Sequence, residues 1–102
     1  MKNLLKLHYI AIKKRGLISS KTFFYQFMEK LEEEYIEVGK AYTNDRVEGK
    51  LPSNDLIYEM TDLVMVVLNC FQHYDIDFEE QLRINLNKQE SRICIGSKDN
   101  ND

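Results

Sequence analysis

Apolar positions recur at intervals of three and four along most of this chain, the pattern of helices that bury one face. In residues 3–15 the repeat runs Leu4, Leu5, Leu7, Ile10 and Ala11, and Gly16 follows as a stop. Residues 21–42 carry Phe24, Phe27, Met28, Leu31, Tyr35 and Val38. Ser19 and Ser20 precede them as N-cap candidates, and Gly39 weakens the last turn. Residues 43–53 are polar and contain Asn44, Asp45, Gly49 and Pro52, so they read as a break. A third helix is expected over residues 54–74, capped by Ser53, Asn54 or Asp55, with Leu56, Met60, Leu63, Val64, Val67, Leu68 and Phe71 in register. Its stretch from Leu63 to Leu68 is apolar on every side, which requires cover on several faces, from its own fold or from a partner. The valines there would suit a strand, but the 3.6-residue period holds from Leu56 to Phe71 and decides for helix. Asp77 and Glu80 form the N-cap and N3 pair of a capping box for a fourth helix over residues 77–92, with Phe78, Leu82 and Leu86 turned inward. With one proline and four glycines, the chain has little to interrupt long helices. The expected fold is therefore all-α: a four-helix bundle over residues 1–96, ending at Gly96. A polar, disordered tail is expected over residues 97–102.

The length of 102 residues allows one domain. A chain this short leaves much of its surface uncovered, which together with the all-round apolar third helix favours a homodimer or homotetramer. Fourteen basic against seventeen acidic side chains give a net charge of −3, with no electrostatic footprint for nucleic acid. There is no polybasic stretch for a membrane surface, and no apolar run approaches the ~18–20 residues of a membrane span. The N-terminal stretch is basic and partly apolar, but Lys6 and His8 interrupt it, so it does not read as a signal peptide. Cys70 and Cys94 sit among apolar neighbours and are expected as buried free thiols in a reducing cytoplasm. Without a CxxC motif or a Cys/His cluster, a zinc site is not expected.

The chemistry-bearing residues are acidic. Glu34 and Glu37 are three apart in the second helix, and Glu59 and Asp62 are three apart in the third, so each helix presents two carboxylates in one direction. Both pairs lie beside apolar positions, and half-buried acids are costly unless paired or metal-bound. Two carboxylates ~4 Å apart repel by about 4 kcal/mol at an effective dielectric of 20. Few basic residues lie close by in sequence to neutralise them. Oxygen-only ligands select Mg²⁺ or Mn²⁺ over zinc. The competing reading of Glu32 to Glu34 is the solvated face of an amphipathic helix.

The order Glu33-Glu34-Tyr35-Ile36-Glu37, a gap, then Glu59-Met60-Thr61-Asp62 resembles the MazG-like all-α nucleoside triphosphate pyrophosphohydrolases. Three further segments are similar to that family: the apolar helix after Asp62, the turn Tyr74-Asp75-Ile76-Asp77-Phe78-Glu79-Glu80, and the closing Lys88-Gln89-Glu90-Ser91-Arg92. The resemblance covers residues 22–93. It departs at Ile36, where members often have a small residue, and at Asp75, where they usually have glycine. It also departs at Asn85 and Gln89, where lysine and asparagine are common. The resemblance implies that Glu34, Glu37, Glu59 and Asp62 hold Mg²⁺ on the triphosphate of a nucleotide. Water activated by metal and carboxylate would then attack the α–β phosphoanhydride, giving nucleoside monophosphate and pyrophosphate. Glu33 is a candidate to orient that water or to hold a second metal, and a solvated acid is its alternative. Asn85 and Gln89 fall where the family contacts substrate phosphates, and Ile36 is expected to narrow the groove between the helices. The resemblance also implies a nucleotide pocket at a subunit interface.

A polyanionic substrate needs cations besides the metal, and Lys88 and Arg92, four apart on the last helix, are candidates to face the phosphates, with surface solubility as the competing reading. Lys13, Lys14 and Arg15 instead complement the dipole at the end of the first helix. His8 and His73 read as ordinary helix residues, and Phe24, Tyr35 and Tyr58 as core, with stacking on a nucleotide base as the alternative for these three aromatics. The rival to the enzyme is a catalytically inactive helical bundle that acts in interaction or assembly.

Overall fold

A computed structural model describes residues 2–95. It contains four helices and, among the described residues, no strand: α1 (Lys2–Lys14), α2 (Phe24–Glu48), α3 (Asn54–His73) and α4 (Phe78–Ile95). The Cys94 side chain, Gly96 and the expected tail lie outside the described part.

The helix ends follow local chemistry. After α1, Gly16 adopts φ 77°; its N–H donates to the Lys13 carbonyl, and that of Leu17 to the Ile12 carbonyl. This is the Schellman arrangement expected of a C-terminal glycine. The start of α2 differs from expectation. Ser19 caps a short turn, its hydroxyl accepting the Lys21 N–H, and the helix begins at Phe24, with the Gln26 side chain accepting the Phe23 N–H at 2.7 Å.

The end of α2 differs more. The helix runs through Gly39 and the polar residues after Tyr42, and stops only at Gly49, which is left-handed at φ 72°. The physical reason is Asp45, which is 4% exposed. Its Oδ2 accepts the Ser53 N–H at 2.7 Å, and its carbonyl accepts the N–H groups of Gly49 and Lys50. One residue thus closes α2 and fastens the loop. Ser53 then caps α3, its hydroxyl accepting the Leu56 N–H at 3.1 Å. At the start of α4, Asp77 accepts the N–H groups of Glu79 and Glu80 as an N-cap. The Glu80 carboxylate pairs with Arg83 at 2.9 Å.

Helix α3 is the axis of the molecule, with α2 and α1 packed on it. The small core joins Ile18, Phe27 and Cys70, with Tyr9 and Ile12 against it. Helix α1 therefore turns Leu5, His8, Tyr9 and Ile12 inward, while Leu4, Leu7 and Ile10 are exposed. Its seam with α3 carries two polar contacts: His8 Nδ1 lies 3.3 Å from Asn69 Oδ1, and the Tyr9 hydroxyl 2.9 Å from His73 Nδ1. The two histidines are thus seam residues. Burial, then the charge of Asp75, raises the pKa of Tyr9.

In α2 only Phe27 of the expected stripe is buried; Leu31 and Val38 are half-buried, and Phe24, Met28 and Tyr35 are exposed. Tyr58 on α3 is exposed as well. Helix α4 meets the others near its start, through the Phe78 ring against Phe71 and an ion pair between Glu79 and Lys2. Beyond that, residues 81–91 are all exposed, so Leu82 and Leu86 face no core within one chain. No described helix is long and apolar enough to cross a membrane.

Candidate metal centre

Helices α2 and α3 bring Glu34, Glu59 and Asp62 together. One carboxylate oxygen from each lies within 4.8 Å of the other two, and all three residues are half-buried. Glu59 and Asp62 share a face because they are one turn apart on α3. Glu34 joins them because α2 presents that position across the helix pair.

The cluster is electrostatically loaded. Partial burial raises the pKa of Glu59, and the charges of Asp62, Glu34, Glu37 and Asp55 raise it further. Octahedral oxygen ligands at ~2.1 Å from Mg²⁺ stand about 3 to 4 Å apart. The three oxygens lie within 4.8 Å of one another, so a small closure would be needed to reach that spacing, and an all-carboxylate donor set suits a hard cation. The residues present therefore fit Mg²⁺ or Mn²⁺.

The other predicted residues are placed as follows. Glu37 is near enough to act on Glu59, but its Oε1 lies 3.4 Å from the Lys40 ammonium. Glu33 is exposed and outside the cluster. Ile36 lies with Gly39, Lys40 and Thr43 along a surface of α2, away from the α2–α3 groove, which it therefore does not narrow. Asn85, Lys88 and Gln89 are exposed and Arg92 is half-buried, all on α4.

Two neutralising cations were not anticipated. Lys30 pairs with Glu34 at 3.3 Å and Lys40 with Glu37 at 3.4 Å, each within one turn on α2. The spacings four before Glu34 and three after Glu37 carried that signal. Asp55, four before Glu59, was legible in the same way.

A largely apolar groove between α2 and α3 is lined by Met28, Leu31, Tyr35, Leu63, Val64 and Val67, with Glu32 at its edge. Comparison with protein-family models, curated proteins and solved structures finds no match to this chain.

Proposed function

We propose that this chain is a Mg²⁺-dependent nucleoside triphosphate pyrophosphohydrolase of the MazG-like type, which yields nucleoside monophosphate and pyrophosphate. The observation that carries this reading is the half-buried cluster of Glu34, Glu59 and Asp62 spanning two helices. The turn after α3 supports it too. Asp75, at the position where the family usually has glycine, adopts φ 55°, the left-handed conformation that glycine favours.

Glu34, Glu59 and Asp62 would hold the cation, with Glu37 as the fourth candidate. A bound Mg²⁺ supplies charge neutralisation for phosphate oxygens and a more acidic water. Glu33 is the residue left to orient water, and Asn85, Lys88, Gln89 and Arg92 are the candidates for phosphate contacts. A buried, reduced Cys70 suits a cytoplasmic setting.

The test is pyrophosphate release from a panel of nucleoside triphosphates with Mg²⁺ or Mn²⁺, for the wild type beside Glu59→Gln and Asp62→Asn. Metal-dependent release that both substitutions abolish supports the enzyme. Absence of both release and metal binding in the folded protein overturns it. One observation favours the second reading, an inactive interaction protein: within one chain, α4 carries its polar candidates without packing along α2 or α3.

A further inference from the structure

Positive charge is concentrated at one end of this chain. The first 21 residues hold six of the fourteen basic side chains and none of the seventeen acidic ones, so that end carries +6 and the remainder −9. In sequence these cations are spaced out and make no polybasic run, but helix α1 gathers them. Lys6 and Lys13, about two turns apart, share one flank of the helix. Lys14 and Arg15 stand at its C-terminal end. Of this basic group only Lys2 pairs with a carboxylate among the described residues, that of Glu79 at 3.4 Å.

A row of apolar side chains lies beside these cations, on the side of α1 turned away from α3. Leu5, His8, Tyr9 and Ile12 face inward. Leu4, Leu7 and Ile10 follow one another at intervals of three on the opposite side and are 70%, 63% and 39% exposed, with Ala11 among them. Helix α1 thus carries two apolar stripes. One docks on α3, and the other, bordered by lysine, faces solvent. Helix α1 also precedes residues 22–93, the stretch similar to the hydrolase family, so the hydrolase reading assigns it no task.

Aliphatic side chains bordered by lysines are the composition of a helix that lies in the headgroup layer of a bilayer, apolar face down and ammonium groups at the phosphates. A nucleic-acid face would put arginine and amide side chains at its centre, where α1 has leucine and isoleucine. A protein partner would need a matching groove, whereas a fluid bilayer accommodates a bare helix as it stands. The charge split adds direction. An anionic surface attracts the α1 end and repels the rest of the chain, within a Debye length of about 8 Å at physiological salt. We propose that α1 seats this protein on membranes rich in anionic lipid, with Leu4, Leu7 and Ile10 at the acyl boundary and Lys6, Lys13, Lys14 and Arg15 at lipid phosphates. One short helix gives reversible, salt-sensitive association. The proposal does not depend on the hydrolase reading.

The test is co-sedimentation of the full chain with vesicles, without added Mg²⁺. Phosphatidylcholine vesicles with about 30% phosphatidylglycerol should pull the protein down, and pure phosphatidylcholine should not. Raising the salt to about 0.5 M should release it. Leu4→Ser with Leu7→Ser, and separately Lys6→Gln with Lys13→Gln, should each weaken binding about tenfold or more. Leu86→Ser, on the exposed part of α4, should leave binding unchanged. All these side chains face solvent, so helical circular dichroism should not alter. As a second readout, a polarity-sensitive dye on Ala11→Cys in a Cys94→Ser background should shift to the blue on anionic vesicles. The same dye on Val47→Cys, far along α2, should not shift. Failure to bind anionic vesicles overturns the proposal, as does binding to soluble poly-glutamate alone, which would assign α1 to an acidic protein. Binding that persists in the Leu4→Ser, Leu7→Ser double variant, or that is equal on neutral vesicles, overturns it as well.

Discussion

Partial burial and the neighbouring carboxylates raise the pKa of Glu59, and that shift has a definite sign. A carboxyl that holds its proton more tightly when folded stabilises the fold below the ordinary carboxylate range. That contribution is lost as pH rises from the ordinary value to the raised one. Metal-free protein should therefore melt at a lower temperature at pH 7.5 than at pH 5 as far as Glu59 is concerned, and Glu59→Gln should flatten that difference. Bound Mg²⁺ competes with the proton, so the thermal shift on adding Mg²⁺ should grow over the same window and vanish in Glu59→Gln. Lys30 supplies a second residue-level test. Its pair with Glu34 is largely surface-exposed on the lysine side, and such pairs contribute about 0–1 kcal/mol. Lys30→Ala should leave stability nearly unchanged in urea titrations while tightening Mn²⁺ binding measured by calorimetry. The acids themselves were legible, because spacing along one helix places Glu59 beside Asp62. Which of Glu34 and Glu37 faces α3 was not, because that depends on the rotation of α2 about its own axis.

Among the elements, the ends of α1 and α3 and the cap of α4 were legible because Gly16, Ser53 and Asp77 act through local hydrogen bonds. The end of α2 was not. A polar stretch reads alike as loop or exposed helix, and the burial of Asp45 is a tertiary fact. Asp45→Ala should cost about 1–3 kcal/mol, the usual penalty when a buried hydrogen-bonding group loses its partner, measured by chemical denaturation. The turn after α3 makes the opposite prediction. There the Asp75 N–H donates to the Gln72 carbonyl and that of Ile76 to the Phe71 carbonyl, with Asp75 left-handed. Because a left-handed residue with a Cβ costs about 1–2 kcal/mol, Asp75→Gly should stabilise the chain by part of that amount. The same denaturation series would show it.

At the scale of the whole molecule, α3 organises the fold, and much apolar surface is left open. Leu82 and Leu86 were expected to face inward and are exposed within one chain, because periodicity marks a stripe without saying what covers it. If association completes the fold, stability depends on protein concentration. Each tenfold increase in chain concentration should add about 1.4 kcal/mol of dimer-linked stability, visible as a rise in melting temperature across a dilution series. A flat series would mark the open surface as solvent-facing.

The docking of α1 makes one native atom a clock. The Cys70 sulfur is sealed by Ile18 and Phe27, with Tyr9 and Ile12 of α1 leaning on that plug. Burial also pushes the thiol's pKa up, so a closed Cys70 is unreactive. Alkylation of Cys70 in a Cys94→Ser background then counts excursions in which the N-terminal helix swings free. Tyr9→Phe, which loses the bond to His73, should quicken the count, and the ratio of the two rates gives the free energy with which that single hydroxyl holds the latch shut.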